Sequence, residues 1–262
     1  TGYIGSHTVV ELQKNGYDVI IADNLVNSSM DVLDGIEKIS GIRPEFEEID
    51  LTDGEVTRDF FARHSDIRAV IHFAALKAVG ESVNKPLEYY FNNLNSLMNV
   101  LTCMREFKVP NLVFSSSCTV YGQADVLPVT EKTPRHEAES PYGNTKVMSE
   151  DIIPYLTQTA IGIREQLSVF GDDYNTPDGS PLRDYIDVVD LAQAHVVAIR
   201  RLLEGKNKKN YEFFNIGTGK ALSVLEIIHA FERATGVKVN YKVVGRRAGD
   251  IEKVWADTTL AN

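Results

Sequence analysis

The chain has 262 residues, of which 43% are hydrophobic and 24% charged, a balance that suits a globular protein with a sizeable core. It carries 27 lysines and arginines against 37 aspartates and glutamates, and the resulting net charge of −10 argues against nucleic-acid binding. No apolar run is long enough to span a bilayer, and we expect no signal peptide. Cys103 and Cys118 have no metal-ligand spacing, so we expect a cytoplasmic setting and no metal site.

Short apolar runs alternate with amphipathic stretches along the first two-thirds of the chain. The predicted strands are residues 18–22, 46–49, 69–74 and 111–115, and the predicted helices are residues 7–15, 30–39, 55–64 and 86–107. Strands that alternate with helices favour a parallel sheet covered on both faces. We therefore predict an α/β fold.

The last third of the chain has a more mixed pattern. The predicted elements there are a helix at 189–203, a strand at 211–216, a helix at 223–235 and a strand at 238–244. We place a domain boundary near Ile153, with a main domain at 1–153 and a smaller lobe at 154–262. Some segments of the second range are expected to return to the main domain.

Two places lack sequence that a continuous fold needs. The chain begins at Thr1 within a turn of the nucleotide-binding type, so the strand expected before this turn is absent. At Ile153-Pro154 one helical segment meets another without turn residues between them. We expect residues to be missing from both places.

The first motif is Gly2-Tyr3-Ile4-Gly5 at the start of an amphipathic helix. Such a turn lets the backbone and a helix N-terminus approach a pyrophosphate, although GxxG alone is more often a plain tight turn. Asp23, at the end of the next predicted strand, can bind both ribose hydroxyls of NAD and would repel the extra phosphate of NADP; its alternative role is to cap a loop. The two together favour dinucleotide binding.

Two further positions have a functional and a plain structural interpretation. The turn at Asp50-Leu51 follows another predicted strand and could reach an adenine ring or be a solvated turn. His72 ends a strand beside small residues, and we expect it to be a core histidine with satisfied hydrogen bonds.

The second motif is Tyr142-Gly143-Asn144-Thr145-Lys146, a YxxxK pattern that places the phenol and the amine on one face of a helix. A nearby ammonium and a cationic nicotinamide would both lower the phenol pKa from about 10 and make Tyr142 a better base. YxxxK is common by chance, but here it follows Ser117 at the end of a predicted strand, where open parallel sheets bind ligands. Ser117, Tyr142 and Lys146 are therefore the predicted catalytic residues.

With these motifs in this order, the chain resembles the extended short-chain dehydrogenase/reductases and, within them, the UDP-glucose 4-epimerase family. The segments that carry the resemblance are GYIGSH (2–7), DNLVNS (23–28), HFAALKAVGES (72–82), FSSSCTVYG (114–122), SPYGNTK (140–146), FGDDY (170–174), RDYI (183–186) and RRAGD (246–250). The resemblance implies a Rossmann-like doubly wound parallel sheet with a smaller mixed α/β substrate lobe at its C-terminal side.

The resemblance also implies a reaction. Tyr142 would remove the proton of the sugar 4-hydroxyl with Ser117 bridging, while hydride passes to NAD. The transient 4-keto sugar would rotate about its bond to the diphosphate and take the hydride back on its other face. The expected activity is NAD-dependent interconversion of UDP-galactose and UDP-glucose, in a homodimer formed through the helix at 86–107 and the helix of Tyr142.

Residue roles follow by matching position within the family motifs. The implied cofactor-binding residues are Gly2, Tyr3, Ile4, Gly5, Asp23, Asn24, Asn27, Ser28, Asp50, Leu51, Phe73, Ala74, Ala75, Lys77, Asn93, Tyr142 and Lys146. The implied substrate-binding residues are Lys77, Ser117, Tyr142, Arg183, Arg247 and Asp250, and the two arginines suit a diphosphate on an acidic protein.

Departures from the family pattern leave alternatives open. The Gly-rich turn is shortened at its start, an RYFNP segment expected between Ile153 and Pro154 is absent, and so is the usual tail after Asn262. A nucleotide-sugar 4,6-dehydratase is a rival reaction, but Cys118 and Thr119 stand where that class has its Asp-Glu pair. A non-catalytic NAD or sugar-nucleotide binding protein is the rival from another class. Val254, at a position that limits the sugar pocket in the family, would leave room for N-acetylated UDP-hexoses.

Overall fold

The computed structural model describes residues 1–152, 167–209, 212–235, 241–246 and 248–261. The helices in these ranges are α1 (Tyr3–Lys14), α2 (Asp31–Ser40), α3 (Gly54–Arg63), α4 (Val79–Asn84), α5 (Pro86–Glu106), α6 (Pro141–Ile152), α7 (Val188–Leu203) and α8 (Val224–Thr235), with a 3-10 helix at Cys118–Tyr121. The strands are β1 (Ile20–Asp23), β2 (Glu45–Glu48), β3 (Ala69–His72), β4 (Asn111–Phe114), β5 (Leu167–Phe170), β6 (Leu182–Arg183), β7 (Leu222–Ser223), β8 (Tyr241–Val244) and β9 (Lys253–Val254).

Local sequence accounts for several of the helix ends. The Asp53 side chain accepts hydrogen bonds from the backbone N–H groups of Glu55 and Val56 and so caps α3. Pro86 begins α5, where its missing N–H is not needed. Gly41 ends α2 in the left-handed conformation that favours glycine.

The alternation of strands and helices in the main domain confirms the predicted α/β fold. β1 pairs with β2 in parallel, with Ile20 opposite Glu45, and β3 pairs with β4 in parallel, with Ala69 opposite Asn111. These are two separate pairs, because no strand of the described residues lies between β1 and β3. A cavity of about 880 Å³, lined by both strands, occupies this part of the fold.

Helices cover the strand pairs through apolar contacts. α1 packs against α2 and α7, α3 packs against α5, and α5 packs against α6. One apolar cluster joins Phe60 and Phe61 of α3 to Val100 and Met104 of α5, and a second joins Val9 of α1 to residues of α2 and β1. None of the helices in the described ranges is long and apolar enough to cross a membrane.

The C-terminal part contains two small sheets. β5 pairs with β8 in parallel, and β6 lies between β7, its antiparallel neighbour, and β9, its parallel neighbour. α7 contacts β3 and β4 as well as α1. The division at Ile153 stays a prediction, since residues 153–166 lie outside the described ranges.

The strand predicted at 211–216 is wrong for residues 212–216, which form no strand. Side-chain contacts, rather than the backbone hydrogen bonds of a β-sheet, hold this segment. Glu212 pairs with Arg201 at 2.8 Å, and the backbone N–H of Asn215 donates to the Glu131 carboxylate at 2.7 Å. The strand predicted at 238–244 is confirmed at Tyr241–Val244, and Tyr211 and residues 236–240 lie outside the described ranges.

Candidate active site

The residues predicted to bind the cofactor lie mostly around one cavity. Its walls contain Gly2, Tyr3, Ile4, Gly5, Asp23, Asn24, Asn27, Ser28, Asp50, Leu51, Phe73, Ala74, Ala75 and Lys77. Asn93, Tyr142 and Lys146 are not among the lining residues. The positions brought together by the fold come from α1 and from the carboxyl ends of β1, β2 and β3, where ligands bind in open parallel sheets.

The start of α1 faces this cavity with free space around it. Gly2 precedes the first turn of α1 and provides no side-chain cap, and a Cβ atom at Gly2 would meet no protein atom within 4 Å. The first N–H groups of a helix have no partner inside the helix and carry a partial positive charge. This end of α1 can therefore accept an anionic group.

Asp23 is held by the first residue of the chain, a contact that the sequence did not predict. Its Oδ2 accepts from Thr1 Oγ1 at 2.8 Å. Its Oδ1 accepts from the backbone N–H of Leu25 at 2.8 Å. Burial acts to raise the pKa of Asp23, while the hydrogen bonds from the Thr1 hydroxyl and from the Leu25 N–H act to lower it. Asp23 is therefore an anion at neutral pH.

Neighbouring polar residues link the turns around Asp23. Burial acts to raise the pKa of Asp50, while hydrogen bonds from Thr52 and from the Asn24 side chain hold it below its ordinary value. Burial lowers the pKa of Lys77, and the charge of Asp23 opposes that effect. The structure thus places Asn24 against Asp50 and Lys77 within electrostatic range of Asp23.

Asn93 makes its hydrogen bonds within the protein, and its role at the cofactor stays a prediction. It is buried, and its side chain is bonded to the protein: Oδ1 accepts from Leu76 N at 2.8 Å, and Nδ2 donates to Leu76 O at 2.9 Å and to Thr145 Oγ1 at 3.0 Å. Asn93 therefore fastens the loop after β3 to the helix that carries Tyr142 and Lys146.

His72 departs from its predicted role as a satisfied core histidine. It is buried, but its Nε2 has no hydrogen-bond partner among the described residues. Its ring stacks on Phe114 with centroids 5.5 Å apart. Burial, with a smaller effect from the charge of Lys146, lowers the pKa of His72 to about 3, so the ring is neutral.

α6 carries the predicted catalytic pair in the closed part of the site. Tyr142 and Lys146 are each only 2% exposed. Lys146 Nζ donates to the backbone oxygen of Ser115 at 3.3 Å and lies 4.6 Å from the ring centroid of Phe114. Burial lowers the pKa of Lys146 well below its usual range, and the charge of Glu150 opposes that shift. The amine is therefore poised to lose its proton more easily than an exposed lysine.

Ser117 lies two residues further along the same strand end and begins the 3-10 helix. Its Oγ accepts from Thr119 N at 3.3 Å. A Cβ atom at Gly143 would lie 3.4 Å from Thr119 Cβ, so the first turn of α6 lies directly against this helix. The first turn of α6 thus lies beside the segment that Ser117 begins, and the joint catalytic role of Ser117, Tyr142 and Lys146 stays a prediction.

Two contacts around the pair were not found from the sequence. The backbone N–H of Tyr142 donates to Ser82 Oγ of α4 at 3.1 Å. Ser116 Oγ donates to Glu150 Oε1 at 2.6 Å. Glu150 follows Lys146 by one helical turn, and that i, i+4 spacing was the available signal.

The predicted substrate residues are only partly described. Arg183 NH2 forms an ion pair with Asp250 Oδ1 at 2.8 Å, and Arg183 NH1 donates to Leu182 O at 2.8 Å. Both side chains are predicted to bind the substrate, and the structure pairs them with each other. Arg247 lies outside the described residues.

Val254 lies inside an apolar cluster beside the 3-10 helix. It is buried with Val120, Tyr121, Val129 and Ile251. The segment of Asp250 and Ile251 is thereby packed against the 3-10 helix that Ser117 begins. A larger side chain at Val254 would have to displace this cluster.

The fold and this site define a class of protein. A family model described as the NAD dependent epimerase/dehydratase family matches residues 1–165 and 156–217. The chain belongs to this family.

Individual relatives narrow the class further. The UDP-glucose 4-epimerase of Mus musculus is 42% identical over 308 aligned positions that cover 100% of this chain and 88% of the relative. The alignment is longer than the 262 residues, so it contains positions that this chain lacks. The bifunctional protein GAL10 of Pachysolen tannophilus is 42% identical across 100% of this chain, but the chain spans only 44% of that relative.

A solved structure of a UDP-glucose 4-epimerase has a fold similar to that of this chain. The UDP-glucose 4-epimerase from Bifidobacterium longum, in complex with NAD+ and UDP, superposes with a TM-score of 0.91 at 38% sequence identity, covering 99% of this chain and 88% of the other. The Rossmann-like architecture predicted from the motifs is confirmed by this similarity.

Proposed function

We propose that the protein catalyses NAD-dependent epimerisation at the 4-position of UDP-hexoses and interconverts UDP-galactose and UDP-glucose. The observation that carries this proposal is the buried Tyr142–Lys146 pair, with Lys146 bonded to the strand end that leads to Ser117. The names of the relatives support it, as does the NAD+ and UDP complex of the similar structure.

The cavity residues fit a dinucleotide. The open space at Gly2, the uncapped start of α1 and the anionic Asp23 offer a pyrophosphate site and a ribose acceptor in one cavity. Asp23 must exchange its contacts with Thr1 for the ribose hydroxyls. When bound, NAD supplies the two-electron oxidant and reductant for the C4 position of the sugar.

The catalytic residues handle the proton. Tyr142 accepts the proton of the sugar 4-hydroxyl, and Ser117 shares a hydrogen bond with that hydroxyl. An ammonium at Lys146 favours the phenolate form of Tyr142. Because Tyr142 and Lys146 are buried, water does not compete for these contacts.

Arg183, Arg247 and Asp250 bind the nucleotide end of the substrate in this proposal, with Lys77 near the sugar and cofactor. Arg183 is already held in place by Asp250 and by the backbone oxygen of Leu182. NH1 and NH2 also donate to the backbone oxygens of Glu252 and Ile251, so binding a diphosphate requires Arg183 to exchange some of these contacts.

The test is incubation of the protein with UDP-galactose and saturating NAD, with detection of UDP-glucose. We expect turnover, loss of at least about a thousandfold in kcat for Tyr142→Phe, and near-normal kcat for Tyr89→Phe, another buried tyrosine, whose hydroxyl bonds Glu81 instead. A 4-keto-6-deoxy product would support a dehydratase instead. Binding of NAD without any turnover would refute the enzyme proposal and favour a binding protein.

We also propose a homodimer formed through α5 and α6 in a cytoplasmic setting, the latter in line with two free cysteines. α5 exposes Leu87 at 81%, Phe91 at 63% and Met98 at 41%, on one side of the helix at i, i+4 and i+11. Exposed large apolar side chains in a row are typical of an interface, and α6 packs beside α5. Under twofold symmetry, the same face of a second copy would cover these side chains.

The dimer is tested by analytical ultracentrifugation of Phe91→Glu. We expect a shift to monomer at micromolar concentration. Val197→Glu is the matched control, because Val197 is also an exposed apolar side chain but lies on α7. Equal masses for Phe91→Glu and the wild type would contradict this interface.

A further inference from the structure

His195 of α7 contacts the catalytic side of the site, although no motif pointed to it. Its Nε2 lies 3.1 Å from Ser115 Oγ, and the backbone oxygen of the same Ser115 accepts the hydrogen bond from Lys146 Nζ at 3.3 Å. All three residues are buried. Ser115 therefore joins a histidine of α7 to the lysine of α6.

The hydrogen bonds of His195 fix which nitrogen carries the proton. Nδ1 lies 2.8 Å from the backbone oxygen of Leu191, and since a carbonyl oxygen can only accept, Nδ1 must donate. Burial lowers the pKa of His195, with the Leu191 carbonyl opposing, so the ring is neutral at pH 7. Nε2 is then an acceptor, and the Ser115 hydroxyl donates to it.

His195 also contacts the wall of the cavity. Its ring lies 4.9 Å from that of Phe73, centroid to centroid, at an interplanar angle of 52°. Phe73 follows β3 and lines the cavity that we assign to the cofactor. One buried imidazole thus touches both the support of Lys146 and the cavity wall.

We propose that His195 is a positioning residue for the epimerase reaction: it orients Ser115 so that the Ser115 carbonyl holds Lys146, and it supports Phe73 against the cofactor cavity. This inference rests on the proposed function. Without the imidazole acceptor, the Ser115 hydroxyl loses this bond, and the backbone after β4, whose carbonyl holds Lys146, loses its link to α7. The ammonium form of Lys146 is then less well stabilised, and the pKa of Tyr142 rises.

Two variants separate the hydrogen bonds of the ring. In His195→Gln, the longer side chain can place an acceptor oxygen where Nε2 lies, so the Ser115 bond can be kept. In His195→Asn, the shorter side chain can replace the Nδ1 donor to Leu191 but cannot reach Ser115. We expect kcat for UDP-galactose to fall about tenfold to thirtyfold in His195→Asn and about threefold or less in His195→Gln, with KM little changed.

The pH profile distinguishes positioning from simple destabilisation. We expect the acid limb of the plot of kcat against pH to move to higher pH in His195→Asn and to stay in place in His195→Gln. Glu150 and His72, two titratable groups that interact with Lys146, are unchanged in both variants. Val196→Ala is the control, because Val196 is equally buried on α7 and offers no polar contact, so it lowers stability without moving the acid limb.

Coupling to Ser115 gives a second measure. Ser115→Ala removes the hydroxyl and keeps the carbonyl, so the double variant with His195→Asn should lose no more activity than the worse single variant. Additive losses, equal losses in the Gln and Asn variants, or an unmoved acid limb in His195→Asn would each overturn the proposal.

The geometry can be tested without turnover. In ¹⁵N-histidine NMR of the wild-type protein at pH 7, we expect the neutral tautomer with the proton on Nδ1 of His195, and a changed Nε2 shift in Ser115→Ala. The opposite tautomer or an imidazolium would refute the assignment of His195. Absence of turnover in the wild type, with the expected tautomer, would instead refute the proposed function and leave only the hydrogen bonds assigned to His195.

Discussion

The polar groups around Lys146 bond to one another within the protein, whereas the residues around Asp23 line an open cavity. On the catalytic side, which we define as the end of β4, the 3-10 helix and α6, Lys146 reaches Ser115, Ser116 reaches Glu150, and Tyr142 is fixed through Ser82. On the cofactor side, defined as the start of α1 with the carboxyl ends of β1 and β3, the residues line a cavity of about 880 Å³.

The difference shows which part of the site is organised before a ligand arrives. A side chain that is buried and hydrogen-bonded has already lost its conformational freedom, so little ordering remains to be done on binding. The walls of the cavity gain contacts only when a ligand fills it, and a ligand that binds only the folded state stabilises that state. Substitutions on the catalytic side should therefore affect turnover, and those on the cofactor side should affect affinity.

Lys146→Met should have the largest effect on turnover. We expect kcat to fall by about a thousandfold or more, because the charge that favours the Tyr142 phenolate is lost. Stability at pH 7 should rise by about 1 kcal/mol, since an apolar side chain of similar length replaces a buried amine. Activity assays and urea unfolding measure the two effects. Lys85→Met, at an exposed lysine paired with Glu81, should change neither.

The stability gain should depend on pH in a defined direction. The folded state holds the pKa of Lys146 below its ordinary value of 10.5, so the unfolded chain binds more protons between those two values. The full destabilisation by Lys146 is present below the folded pKa and disappears as pH rises towards about 10.5. A wild type that gains no stability relative to Lys146→Met between pH 7 and pH 10 would contradict the buried-lysine assignment.

Asp23→Asn tests the cofactor side and should change affinity more than turnover. We expect the Kd for NAD to rise about tenfold to a hundredfold, because a charged acceptor for the ribose hydroxyls is lost. The preference for NAD over NADP should also fall, since the carboxylate no longer repels the extra phosphate. Isothermal titration with both cofactors measures this. Asp34→Asn, at an exposed carboxylate that pairs with Arg43, is the control, and an unchanged Kd in both variants would contradict the assignment.

Sequence reasoning predicted the elements and the residues near the site better than it predicted their contacts. The alternation of apolar and amphipathic stretches predicted the main helices and strands, because burial imposes those periods directly. The strand predicted at 211–216 is wrong for residues 212–216. The Glu212 side chain bonds to Arg201, the Asn215 N–H bonds to Glu131, and no local sequence pattern reveals these contacts. Asn93 was placed on the cofactor by its motif, but its amide bonds to Leu76 and Thr145.

Contacts between distant segments were the main omission. The ion pair of Arg183 with Asp250 and the hydrogen bond of His195 with Ser115 join residues that only the folded chain brings together. The hold of Thr1 on Asp23 is of the same kind. Motif spacing predicted which side chains gather at the site, but their hydrogen-bond partners depend on packing between helices and strands.

Glu150→Gln makes the smallest change and tests how finely the catalytic side is adjusted. The amide oxygen can still accept from Ser116, while the charge that raises the pKa of Lys146 is removed. The pKa of Lys146 should fall further, the pKa of Tyr142 should rise, and the acid limb of kcat should move to higher pH, with kcat at pH 7 about threefold lower. Glu131→Gln is the control, because Glu131 bonds Asn215 and does not act on Lys146. Since Glu150→Gln leaves the cofactor cavity untouched, the Kd for NAD should stay constant. A change in this Kd without a change in the pH dependence of kcat would mean that the catalytic side and the cofactor side are not separable.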